Sequence, residues 1–315
     1  SDEADQDGEV TLNISEEHFF PWSPDSPFLY DLTVGTTQGE EEGFDTVHSY
    51  FALRKWECRE DGRGVKRFFL NGKPILLNGL LDQGYWPEGL YTPPSDGAVE
   101  HELHTVRELG FNLLRKHAKI EPERWYYHCD KLGIIVWQDM VNGGGAYPMW
   151  YVTYLTNALQ PLLRYAPDGK LLWGLLGRGS ARSREEYSRE LADTVAALGQ
   201  HPSIGCWVPF NEGWGQFDAE KATKALRALD PTRLVDEASG WFDRGGGDVH
   251  SIHNYFYPLR IRPKVRTVAL SEYGGIAWPM PGHEPPRKTY GYGTVRSRAE
   301  LTGRYRCLLY TSPSP

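Results

Sequence analysis

Apolar and polar residues alternate along the first part of the chain, then give way to a longer rhythm. Val10-Thr11-Leu12-Asn13-Ile14, Phe28-Leu29-Tyr30-Asp31-Leu32-Thr33-Val34 and the run 45–54 change sides at each step, with Gly and Pro between them. That period predicts antiparallel strands with one buried face. The acidic start, residues 1–8, predicts no element. From about residue 66, short apolar runs alternate with stretches whose apolar residues fall three and four apart. Phe68-Phe69-Leu70 and Ile75-Leu76-Leu77 flank Asn71-Gly72, the mark of a hairpin. Ser95 or Asp96 can cap a helix that carries Val99, Leu103 and Val106 on one face, and Gly110 stops it. The run 111–115 reads as a strand. Pro122 opens the next helix and Gly133 closes it. The run 134–137 is a strand. Ser183 and Glu186 have capping-box spacing ahead of Leu191, Val195 and Leu198. Strands follow at 204–208, 234–235, 249–252 and 268–270, with a helix marked by Ala222, Leu226 and Leu229.

Strands that are apolar on both faces and alternate with helices predict an α/β fold, a parallel sheet with helices outside. Counting from Ile75 gives seven strands. That suits a (β/α)8 TIM barrel of about 250 residues, lacking its eighth strand and so incomplete at the C-terminus. The strands ahead of it are too few for a whole sandwich, which takes about seven. Residues 141–182 form a long excursion rich in aromatics, with Gly143-Gly144-Gly145 near its start. Loops of this length usually carry function, and this one is expected to wall the cleft.

Composition narrows the partners. A net charge of −8 with no long basic run argues against nucleic acid or an anionic membrane as the main partner. No apolar run is long enough to span a bilayer. Cys58, Cys129, Cys206 and Cys307 are scattered without a CxxC pair, so neither a disulfide frame nor a zinc site is predicted. His101-Glu102-Leu103-His104 lacks the HExxH spacing, and His250 and His253 lack a carboxylate at metal-binding spacing, so no metal is expected. Aromatics make up 13% of the chain, and Trp86, Trp137, Trp150, Trp214, Trp241 and Trp278 fall at strand ends and in loops, where flat rings can stack on sugar faces.

Two apolar runs end in a glutamate and break at once into glycine: Val208-Pro209-Phe210-Asn211-Glu212-Gly213-Trp214 and Ala269-Leu270-Ser271-Glu272-Tyr273-Gly274-Gly275. Active sites of such barrels form at the C-terminal ends of the strands, so Glu212 and Glu272 should converge. Two facing carboxylates can cleave a sugar bond, one protonating the leaving oxygen and the other attacking the anomeric carbon. Asn211 can donate to a sugar hydroxyl beside that carbon.

Phe210-Asn211-Glu212-Gly213-Trp214-Gly215 and Ser271-Glu272-Tyr273-Gly274-Gly275 resemble the acid/base and nucleophile motifs of family 2 glycoside hydrolases. The run from Trp22 to Leu32 looks like that family's immunoglobulin-like domain, Phe69-Leu70-Asn71-Gly72-Lys73-Pro74-Ile75 like the start of its barrel, and Asn112-Leu113-Leu114-Arg115-Lys116-His117 like its second strand. The resemblance covers roughly residues 20–280. It implies Glu212 as general acid/base, Glu272 as nucleophile, retention of configuration and no organic cofactor. Arg115 would orient Glu272 or hold it ionised. His117, Trp137, Asp139, Asn211, Trp214, His253, Tyr255 and Trp278 would line the sugar site, with Tyr255 in reach of Glu272. Two stretches depart from the family pattern: Gly79-Leu80-Leu81-Asp82-Gln83-Gly84 replaces a Gly-Val-Asn-Arg-His-like run, and Trp137-Gln138-Asp139 stands where a Glu is common.

The expected domains are residues 1–62, a partial immunoglobulin-like β-sandwich; 63–306, the catalytic barrel; and 307–315, a non-native or flexible tail. The expected activity is a retaining exo-β-glycosidase acting on a β-glycoside or oligosaccharide, first a β-galactoside, with β-glucuronide and β-mannoside as alternatives. An inactive carbohydrate-binding fragment and a barrel hydrolase acting inside polysaccharides are the competing classes. Self-association as a homo-oligomer and the compartment are left open.

Overall fold

The computed structural model describes residues 10–37, 44–256, 261–262, 264–280, 282 and 289–311. Strands β1 (Tyr30–Thr37) and β2 (Phe44–Phe51) pair antiparallel, Tyr30 opposite Phe51 and Thr37 opposite Phe44. The run 10–14 forms no strand. β3 (Trp56–Glu60), β4 (Lys66–Leu70) and β5 (Lys73–Pro74) make a three-stranded antiparallel sheet. The β4–β5 turn is Asn71-Gly72, both at positive φ (52° and 76°), as a two-residue hairpin of this type requires. Because β3 pairs with β4, the boundary expected between residues 62 and 63 falls inside a continuous sheet.

The first parallel strand is β6 (Gly79–Asp82), not the apolar run 75–77, which the β4–β5 hairpin takes up: the Ile75 amide donates to the Phe68 carbonyl. β7 (Leu113–Lys116), β8 (Ile135–Asp139), β9 (Ile204–Val208) and β10 (Leu234–Val235) continue a five-stranded parallel ladder in the order β10-β9-β8-β7-β6. β11 (Val249–Asn254) and β12 (Thr267–Tyr273) form a parallel pair. β6 to β12 match the expected seven parallel strands, with the first one shifted. A short parallel pair, β13 (Ile276–Ala277) and β14 (Gly293–Thr294), follows. No strand or helix was expected there.

Helices α1 (Asp96–Glu108), α2 (Glu123–Leu132), α3 (Ala181–Leu198) and α4 (Ala219–Leu229) follow β6, β7, β8 and β9. Ser95 caps α1 by accepting from the Ala98 amide, and Gly133 ends α2 in the left-handed region at φ 72°. α3 begins earlier than expected: its cap is Ser180, which accepts from the Ser183 amide, so Ser183 and Glu186 lie inside the helix. α5 (Arg298–Thr311) includes residues 307–311, the first part of the expected tail; 312–315 lie outside the described residues.

Two cores explain the layering. Outward-facing Leu114, Val136, Ile204, Trp207 and Val235 pack against Val99, Leu103, Trp125, Leu191 and Leu226 of the helices. Inward-facing Leu113, Ile135, Trp137, Cys206, Val208 and Leu234 meet Trp22, Trp56, Phe68 and Leu70, which plug the barrel floor. Gly205 is an extra residue in β9, where the register slips between Val136 and Trp137. A Cβ on it would lie 2.8 Å from the Trp56 ring, so the plug needs glycine there. The floor is apolar and filled, and the polar chemistry is left to the opposite end.

Candidate active site

The β12 ladder carries a bulge. Ile252 pairs with Leu270 and His253 with Glu272, so Ser271 is an extra residue and Glu272 turns to face His253. Beyond β9, the Glu212 amide donates to the Ser239 carbonyl at 2.8 Å, which ties this loop to the one after β10. Glu212 itself sits at φ 52°, Gly213 at 76°. A Cβ on Gly213 would lie 2.3 Å from the Phe242 ring, so glycine is required immediately after the acid.

Glu212 and Glu272 are both buried, 2% and 7% exposed. Donor atoms of Glu212, His253 and Glu272 lie within 4.8 Å of one another. His253 bridges them, with Nδ1 at 2.8 Å from Glu212 Oε1 and Nε2 at 3.5 Å from Glu272 Oε1. Arg115 anchors the group. Its Nε and Nη2 donate to the two Asp139 oxygens at 2.9 and 3.0 Å, Nη1 to Glu272 Oε1 at 2.7 Å and Nη2 to Asn211 Oδ1 at 2.8 Å. The Tyr255 hydroxyl donates to Glu272 Oε2, and its ring stacks on Tyr292 at 3.7 Å.

Burial works against charge on Glu272, but His253, Arg115 and His117, with the Tyr255 hydroxyl, outweigh it and hold the carboxyl down at about 2. Burial also disfavours the Arg115 cation, yet Asp139 and Glu272 more than compensate and its pKa rises. Burial, then the charges of Glu272 and Glu212, push the Tyr255 phenol well above its ordinary range. Glu212, His253 and Glu272 have a spacing that could suit a cation. Both His253 nitrogens already face protein groups, and Arg115 already supplies positive charge to Glu272, so this donor set is built around a guanidinium.

A cavity of about 320 Å³ opens beside Asn211, lined by His117, Asn142, the 143–145 glycines, Tyr147 and Trp214 among others. The excursion therefore contributes to the wall, as expected. Several polar atoms around the cavity are buried without partners: His117 Nε2, both side-chain heteroatoms of Asn142, and Trp214 Nε1. Trp214 stacks on Tyr147 at 6.4 Å. Asn211, next to Glu212 in the chain, lines the first cavity, whose lining includes neither carboxylate itself; a second cavity of about 380 Å³, under α3 between Met140, Tyr187 and Leu191, is mostly apolar and is not lined by them either.

Of the site residues expected from sequence, Glu212, Glu272, Arg115, Asn211, His253 and Tyr255 form one hydrogen-bonded cluster, and His117 and Trp214 line the adjoining cavity. The other three are placed differently. Trp137 is 4% exposed and packs edge-on against Phe68 in the floor, because it points inward two residues below Asp139. Asp139 is fully buried and taken up by Arg115. Trp278 lies half-buried past β13, outside the cluster. Sequence reading missed Asn142, Tyr147, Ser239 and Tyr292. The aromatic excursion hinted at the first two; nothing local marks the others.

A family model described as "Glycosyl hydrolases family 2, TIM barrel domain" matches residues 63–257. The chain belongs to glycosyl hydrolase family 2. Among curated family 2 relatives, it is 24% identical over 244 residues to a β-galactosidase of Leuconostoc mesenteroides, covering 77% of this chain and 20% of that protein. It is 28% identical over 222 residues to an exo-β-D-glucosaminidase of Streptomyces avermitilis, covering 67% and 21%. The chain thus spans about a fifth of the length of these relatives. A solved family 2 β-galacturonidase from Eisenbergiella tayi, bound to galacturonate, shares the fold at a TM-score of 0.64 and 18% identity, over 88% of this chain and 48% of that one.

Proposed function

We propose that this chain carries the catalytic centre of a retaining exo-β-glycosidase. The observation that carries this is the Glu212–Glu272 geometry. Carboxylate oxygens within 4.8 Å match the ~5–5.5 Å separation of retaining enzymes better than the ~6.5–9.5 Å that leaves room for a water. Glu272, held ionised by Arg115, attacks the anomeric carbon. Glu212 protonates the leaving oxygen, then takes a proton from the water that releases the sugar. The Asn211 amide, fixed through its oxygen by Arg115, is oriented to donate to a sugar hydroxyl. Asp139 acts through Arg115.

The unpartnered polar atoms of His117, Asn142 and Trp214 suit a polyhydroxylated ligand, and the cavity lies at the small end of ligand pockets (~300–1,000 Å³), which favours a single terminal sugar. Among the described residues, those lining it include neither Arg nor Lys. That favours a neutral sugar, first a β-galactoside, over a uronide. We read the antiparallel β1–β2 pair as part of an immunoglobulin-like sandwich, and β3, which pairs with β4, as part of the barrel floor. A panel of nitrophenyl β-glycosides tests the activity, and Glu272→Gln tests the nucleophile. Loss of turnover with sugar binding retained is expected; full turnover in the variant refutes the assignment.

A further inference from the structure

Beneath the carboxylate pair lies a buried hydroxyl cluster that the steps above do not use. Ser239 Oγ is 3.1 Å from His253 Nε2 and 3.0 Å from Ser251 Oγ, and Ser251 Oγ contacts Ser271 Oγ. Asp236, immediately after β10, lies beside this cluster, and burial, Arg115 and the two serines act on its carboxyl. It is 1% exposed, and its Oδ2 is buried without a partner. Gly240, at φ 100°, lets the imidazole close in: a Cβ there would lie 2.5 Å from His253 Nδ1. The charged and titratable groups facing His253 are Glu212, Asp236, Arg115 and Glu272, one from each element packed against it.

We infer that Ser239 is a positioning residue that sets which nitrogen of His253 carries the ring proton, and through it the acidity of Glu212. The argument is one of donors and acceptors. Arg115 Nη1, 3.3 Å from Nε2, can only donate. A Ser239 hydroxyl that donates to Nε2 at 3.1 Å, rather than to Ser271 Oγ at 3.4 Å, leaves that nitrogen bare and puts the proton on Nδ1, facing Glu212 Oε1. The Nδ1–H then supports the carboxylate that forms as Glu212 releases its proton from Oε2. Burial raises the nearby Asp236 carboxyl above its ordinary value, against the pull of Arg115 and the two serines, so it competes less strongly for the Ser239 hydrogen.

The kinetic half of this rests on the acid/base reading of Glu212; the tautomer does not. Nitrogen-15 NMR of histidine-labelled protein at neutral pH, with His253 assigned by its loss in His253→Gln, reads the ring directly. Protonated Nδ1 with bare Nε2 is expected; a proton on Nε2, alone or together with one on Nδ1, overturns the inference. This arm needs neither turnover nor a change at Ser239. In the kinetic arm, Ser239→Ala should lower kcat/KM about tenfold on aryl glycosides with poor leaving groups, part of the ~10²–10⁴ that acid–base catalysis contributes. Dinitrophenyl glycosides, which need no proton, should be spared. Equal loss on both, or none on either, overturns the inference. If Glu212→Ala itself lacks this leaving-group pattern, the acid/base reading of Glu212 fails instead.

Discussion

Arg115 is the residue on which the site turns. One guanidinium satisfies Asp139, Glu272 and Asn211, all of them buried. Removing it strands two buried carboxylates. Arg115→Ala should therefore lose about 3–5 kcal/mol, the cost of breaking a buried pair from one side, measured by urea unfolding. Glu272 carries a pH signature. An unfolded glutamate titrates near ~4.3, whereas the folded carboxyl holds at about 2. The folded value is the lower one, so the ionised group adds stability above about pH 4.3, and that contribution is lost as pH falls through about 2. Wild type should thus lose more of its urea midpoint than Glu272→Gln does as pH drops across that window.

At the scale of elements, the floor and the bulges fix where these residues point. Gly205 shows how tight the plug is. Gly205→Ala should cost about 1–3 kcal/mol by overpacking against Trp56, and Trp56→Leu should relieve part of that cost in a double-mutant cycle of unfolding free energies. The strands and helices of the barrel were legible because their apolar periods are strong, and Glu212 and Glu272 were legible because each ends an apolar run at a glycine. Other features were not. The run 75–77 has a strand's composition, but the antiparallel β4–β5 hairpin uses it first. Ser183 has the capping spacing, but Ser180 reaches the helix start. Trp137 and Asp139 stand two apart on an inward face, and only the depth of the barrel shows that one belongs to the floor and the other lies under Arg115. Ser239 gains its meaning from His253, which comes from another strand.

Across the whole molecule, a single carboxylate ties the β1–β2 pair to the barrel. Asp130 on α2 accepts from Tyr50 Oη at 2.7 Å, His201 Nδ1 at 2.7 Å and the Ser203 amide at 2.8 Å. Tyr50→Phe removes one bond to a charged acceptor and should cost about 1.5–3 kcal/mol. Amide hydrogen exchange should quicken first in β1 and β2, and uniform quickening would contradict this anchoring. The left-handed backbone at Glu212 has a reach of its own. A branched or long side chain in that conformation stores roughly 1–3 kcal/mol of strain, which glycine would release. Any selection for ruggedness alone would thus favour glycine at this position, and on the proposed acid/base role only a reward for hydrolysis would hold the glutamate in place.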